Sequence, residues 1–188
     1  MMKNLVLVAA LLIFGAQTAS AEIIDRILAV VSGQIITKSD VEAARALGLI
    51  EASATDGQSP DEAALQALID RVLMLSEVRR VVPREPTEAA ITERVAAIRG
   101  RFPSPAVLQQ ALAASGISEP VIRIYAEDDL SLAAYLDERF SAAAEPTDQE
   151  VLQAGEANRR KLADERRRTL IGAWVAELRR RADISLLQ

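Results

Sequence analysis

The chain has 188 residues, enough for one domain with its own core, and it contains no cysteine and no histidine. That composition excludes disulfides, thiolate nucleophiles and Cys- or His-ligated metals, and it removes the commonest general base. The formal charge of −5 argues against nucleic acid as a partner.

Met1-Met2-Lys3-Asn4 supplies a positive start, Leu5 to Ala16 an apolar run, and Ala19-Ser20-Ala21 a small-residue cleavage site. These are the three parts of a secretory signal peptide over residues 1–21. The apolar run is too short to span a bilayer, and no Cys follows it for lipid attachment. The expectation is an exported chain that starts at Glu22 and makes no stable membrane insertion. Loss of Lys3 leaves 21 basic against 27 acidic residues, a formal charge of −6.

The next stretch, Ile27 to Glu42, predicts a hairpin running into a helix. Two apolar runs, Ile27 to Val31 and Gln34 to Thr37, flank Ser32-Gly33, where glycine accepts the positive φ of a two-residue turn. Ser39, three residues before Glu42, predicts a capping box for a helix from Asp40 to about Ile50. Ala52 to Ser59 reads as a small-residue loop. Ser59-Pro60-Asp61-Glu62 then combines a cap, a first-turn proline and a capping-box glutamate. The helix that follows, Asp61 to Arg80, is apolar on every side around Val72 to Leu75, which predicts the central helix of a bundle.

Thr87 caps a helix from Glu88 to about Arg99, ended by Gly100, with Ile91, Val95 and Ile98 on one face. Val107 to Ala114 is a short helix stopped by Gly116, and Ser118 opens a longer one from Glu119 to about Phe140. Its acidic middle, Glu127-Asp128-Asp129, reads as a solvated face, since adjacent helical carboxylates point apart and lack the loop spacing of a calcium site. Ala142 to Pro146 reads as a joint. Thr147 and Glu150 make another capping box, opening a helical region from Asp148 to Arg181 with a break expected near Gly155.

Nine basic side chains crowd residues 159–181 against only Asp164, Glu165 and Glu177, so this helix is expected to lie over the acidic remainder of the chain or in water. Trp174 is expected to anchor the core. Asp183 to Leu187 alternates in polarity and is the candidate third strand for the hairpin. The predicted fold is therefore mainly α: a helical bundle with a small β-sheet formed by the N-terminal hairpin and a C-terminal strand. Residues 22–146 form one lobe, and 147–188 return to complete it.

Several stretches together resemble one family. Arg26-Ile27-Leu28-Ala29-Val30-Val31-Ser32-Gly33-Gln34-Ile35-Ile36-Thr37-Lys38-Ser39-Asp40-Val41, after a signal peptide, is similar to the start of the SurA-type periplasmic chaperones. Leu65 to Met74 resembles that family's central helix. Tyr135 to Phe140 with Pro146 to Val151 resembles the exit from its N-terminal lobe, and Trp174 to Ile184 its C-terminal helix and strand. The order of these pieces matches over most of the chain beyond the signal. One departure is large. The family carries one or two parvulin-type prolyl isomerase domains between the lobe and the C-terminal helix, where this chain has only Val151 to about Glu165. A domain needs about 50 residues, so no isomerase is expected.

The resemblance implies a periplasmic, ATP-independent chaperone that binds unfolded polypeptides, outer-membrane proteins among them. No catalytic residue, metal or cofactor is expected. Candidate client-lining residues are Phe102, Leu108, Leu112, Ile117, Tyr125 and Tyr135, each also a natural core residue. A second reading is an envelope assembly or scaffold subunit that grips one folded partner or a second copy of itself. An enzyme would have to work with carboxylates such as Asp128 and Asp129 in a cleft.

Overall fold

In the computed structural model, which describes residues 25–187 except 53, 55 and 82–84, the hairpin and the C-terminal strand close one antiparallel sheet. The expected signal segment and the residues up to 24 lie outside the described part. Strands β1 (Ile27–Val31), β2 (Gln34–Thr37) and β3 (Ile184–Leu186) run in the order β2-β1-β3, so the first strand is central. The turn has φ of 48° at Ser32 and 85° at Gly33, the two positive angles of a type I′ hairpin. Ser32 also donates its N–H to the Asp183 carbonyl at 2.8 Å, which ties the end of the chain to that turn. Ala29 stands opposite Leu186 and Val31 opposite Ile184. Ala29, Val31 and Ile36 face the helices and are buried, while Ile35 stands exposed on the other face.

Helix α1 (Lys38–Ala46) starts earlier and stops sooner than its sequence suggests. Its cap is Thr37, not Ser39. Thr37 Oγ1 accepts from the Asp40 N–H at 3.3 Å, and Asp40 Oδ2 accepts from the Thr37 N–H at 2.8 Å. Ser39 instead turns to Asp25, which accepts from its hydroxyl and, at 3.2 Å, from its N–H. The far end is closed by Gly48 at φ 59°. Leu49 N–H reaches the Ala44 carbonyl at 2.8 Å and Gly48 N–H the Arg45 carbonyl at 3.1 Å, the paired bonds of a Schellman stop.

Helix α2 (Pro60–Arg80) opens with the expected Ser59–Glu62 capping box. From Ala63 to Val78 none of its residues is exposed, so it is the central helix. Helix α3 (Glu88–Arg99) is capped by Thr87. Helix α4 (Pro105–Ser115) begins two residues before the expected Val107, because Ser104 caps it and Pro105 needs no N–H partner in the first turn. Helix α5 (Glu119–Ala144) continues past Phe140 into the expected joint, where three alanines favour helix; Pro146 follows its end. Helix α6 (Asp148–Ala154) carries the Thr147–Glu150 box and breaks at Gly155, φ 87°, as expected. A 3₁₀ turn, Glu156–Asn158, leads into helix α7 (Arg159–Arg181).

The helices pack two main cores. The first joins the inner sheet face to α1, α2, the end of α5 and α7 through Val31, Ile36, Leu68, Ile69, Phe140, Trp174 and Leu178. The Trp174 ring lies tilted against those of Tyr135 and Phe140, its centroid 5.7 Å from each. The second gathers Leu47, Leu49, Ile98, Leu108, Leu112, Ile122 and Ala126 from α1 and its exit, α3, α4 and the first half of α5. Helix α5 belongs to both.

Candidate functional site

Over the second core lies an open groove between α3, α4 and the first turn of α5. Thr92, Val95, Ala96 and Arg99 recur at helical spacing and form its α3 wall; Glu119, Pro120 and Arg123 form the α5 wall. This part encloses about 510 Å³. A second cleft of about 370 Å³ adjoins it, lined by Phe102, Pro103, Pro105, Leu108 and Gln109, and the two share Arg99 and Glu119. The floor is carbon. Val95 and Phe102 are half-buried and Leu108 is buried, so the groove rests directly on packed apolar side chains. Clefts of a few hundred Å³ with apolar floors and few polar groups are typical of ligand and peptide sites.

The rim is charged but internally matched. Arg99 Nη2 lies 2.5 Å from Glu119 Oε1. Arg123 sends Nη2 to Glu88 Oε1 at 2.7 Å and Nε to Glu127 Oε1 at 2.8 Å.

Of the six residues expected to line a client site, Phe102 and Leu108 lie on this groove. Leu112, Ile117 and Tyr125 lie in the same second core, Leu112 buried and the other two packed against it. Tyr135 belongs to the first core, beside Trp174. Val95, Ala96, Arg99, Glu119, Pro120 and Arg123 were not readable as a set, since only the crossing of α3 and α5 brings them together. The i, i+3, i+4, i+7 spacing on α3 was the one local signal.

The acidic stretch of α5 is not a solvated face. Asp129 is mostly buried and bridges two helices: Arg71 of α2 donates to its Oδ1, and Arg94 of α3 donates Nη2 to its Oδ2 at 2.7 Å. Arg71 also reaches the Tyr125 carbonyl at 3.2 Å and lies 4.9 Å from the centroid of that ring. Asp128 sits farther off, 3.9 Å from Arg71 and 3.8 Å from Arg79. Burial pushes its carboxyl above the ordinary value, against the pull of Arg71 and Arg79. An adjacent cleft of about 290 Å³ is floored by Leu49, Met74, Leu132 and Leu136. Both oxygens of Asp129 are held by guanidinium groups, which gives this carboxylate a tethering part between the cores.

The basic helix lies over acidic neighbours. Arg179 grips Asp70 and donates to the Gln66 side chain at 2.8 Å and to its carbonyl at 3.0 Å. Arg166 pairs with Glu150, and Arg159 with Glu145 at 3.1 Å. Among the described residues no cluster of three carboxylates is placed to share a metal ion, and no helix is long and apolar enough to cross a membrane.

The fold and site define a mainly α protein with a small antiparallel sheet and an apolar-floored groove on its second core. No protein-family model matches the chain, and no curated protein is similar to it at a significant level.

Proposed function

We propose that this protein is an ATP-independent periplasmic holdase that shields unfolded polypeptides, outer-membrane proteins among them, and that it has no catalytic activity of its own, prolyl isomerase activity included. The observation that carries the reading is the groove formed by Val95, Ala96, Phe102, Leu108 and Pro120, open to solvent and seated on the second core. Two sequence features support it. The first is the leader-like start over residues 1–21; the second is the ordered set of stretches that resemble SurA-type chaperones. In the periplasm, where this reading puts the protein, no ATP is available to drive release, so binding has to be reversible and driven by apolar burial.

The test is aggregation of a denatured outer-membrane barrel protein diluted into buffer. Near-stoichiometric amounts of the mature chain are expected to suppress light scattering; no suppression at severalfold excess overturns the reading.

A second reading, an assembly subunit that binds one partner or itself, is favoured by the outer side of the sheet. Ile35 is exposed there, and β2 and β3 each leave one edge unpaired within the sheet. Multi-angle light scattering and pull-down from envelope extract separate the two. A single stoichiometric partner or a stable dimer favours the subunit, and many weakly held clients favour the holdase.

A further inference from the structure

We propose that the groove between α3 and α5 selects an uncharged, apolar stretch of an unfolded chain and holds it through its side chains rather than through backbone pairing; this deepens the holdase reading and rests on it. Three observations on the groove lead there. Its floor is hydrocarbon from Val95, Ala96, Phe102, Leu108 and Pro120. Its charges are already consumed: Arg99 is held by Glu119, and Arg123 by Glu88 and Glu127. The N-terminal end of α5, which attracts anions, already carries the Glu119 carboxylate in its first turn.

A charged side chain entering this groove therefore either disturbs one of these half-exposed pairs, at a small cost, or stays unpaired over an apolar floor, at a larger one. An uncharged apolar side chain avoids the desolvation and gains the burial. The walls also offer little for strand addition. Two walls are helices, whose interior N–H groups are used within the helix, and Pro103, Pro105 and Pro120 have no N–H to donate. What remains is recognition by shape and carbon surface, with charge deciding only what is excluded.

The groove is expected to show an unusual salt response. A site that grips its ligand by charge weakens as ions screen it, whereas this one should not. Three fluorescent peptides of about ten residues are titrated against the mature chain: one uncharged and apolar, and two with the central pair of residues replaced by Asp or by Lys. The uncharged peptide is expected to bind with a Kd that changes less than about twofold between about 50 and about 500 mM NaCl, and both charged peptides about tenfold more weakly. Ala96→Glu, which puts a carboxylate on the exposed floor, is expected to weaken the uncharged peptide about tenfold. Ala97→Glu makes the same change one position away, also exposed and off the groove, and is expected to leave binding unaltered; thermal melts verify that both variants stay folded.

Equal weakening by the two variants, or tighter binding of either charged peptide, overturns the proposal. The holdase reading fails separately. Suppression of aggregation that survives Ala96→Glu unchanged refutes the groove and leaves the holdase, while peptide binding at the groove without any suppression refutes the holdase and leaves the groove.

Discussion

Arg94 of α3 meets Asp129 of α5 with Nη2 2.7 Å from Oδ2, and the opposite oxygen of the same carboxylate is taken by Arg71 of α2. One side chain thus links three helices at the border between the two cores. Replacing Asp129 by Asn leaves Arg94 without its carboxylate and leaves the mostly buried Arg71 with only Asp128, 3.9 Å away. The expected loss is about 3 kcal/mol, read as a lower urea midpoint with an unchanged slope. A loss under about 0.5 kcal/mol would show that the bridge is solvated and of little weight.

Asp128, the neighbour, is expected to behave in the opposite sense. Burial raises its carboxyl above the ordinary value, so the folded chain takes up this proton at a higher pH than the unfolded chain does. Stability from this group is fully present below the ordinary value of 3.8 and is lost as pH rises through the raised one. At neutral pH the charge is a burden. Asp128→Asn should therefore equal or exceed the parent by about 0 to 1 kcal/mol at pH 7, with the difference closing as pH falls. Denaturant melts between pH 7 and pH 4 measure it; a gap that widens toward acid contradicts the assignment.

The cap of α1 separates two neighbouring residues. Thr37→Ala removes the acceptor for the Asp40 N–H and half of a reciprocal box, which should cost about 1 kcal/mol. Ser39→Ala loses an exposed contact to Asp25 and should cost less. The reverse ranking in paired thermal melts would return the cap to Ser39.

Deletion of residues 183–188 removes β3, the packing of Ile184 against the first core and the bond from Ser32 to Asp183. It also turns the central strand into an edge. The expected destabilisation is about 3 kcal/mol or more, counting Ile184 burial and the lost strand pairing. A truncated chain that melts with the parent would show that the strand is a frayed tail.

These cases also mark what a linear reading can reach. The hairpin, the boxes at Ser59 and Thr147, the break at Gly155 and the third strand follow from rules that act within a few residues, and all of them stand in the structure. The cap of α1 escapes a linear reading because Ser39 with Glu42 and Thr37 with Asp40 satisfy the same spacing; the hairpin register, which places Thr37 opposite Ile27, decides between them. The contacts of Asp129 escape it for another reason. Its partners lie 58 and 35 residues away, and nothing local to Glu127-Asp128-Asp129 announces two arginines on other helices. The groove is similarly non-local: Phe102 and Leu108 were in view as apolar residues, but Ala96 and Pro120 acquire meaning only where α3 crosses α5.

Helix α5 runs unbroken for 26 residues, from Glu119 at the groove through Phe140 in the first core to Ala144. At 1.5 Å per residue its ends stand roughly 38 Å apart. The single tryptophan of the chain, Trp174, packs against Tyr135 and Phe140 near the far end. Its intrinsic fluorescence is therefore a built-in witness to the integrity of the sheet core that a ligand in the groove does not touch. Loading of the groove and melting of the fold become separately visible in one cuvette, with a dye on the peptide reporting the first and the indole reporting the second.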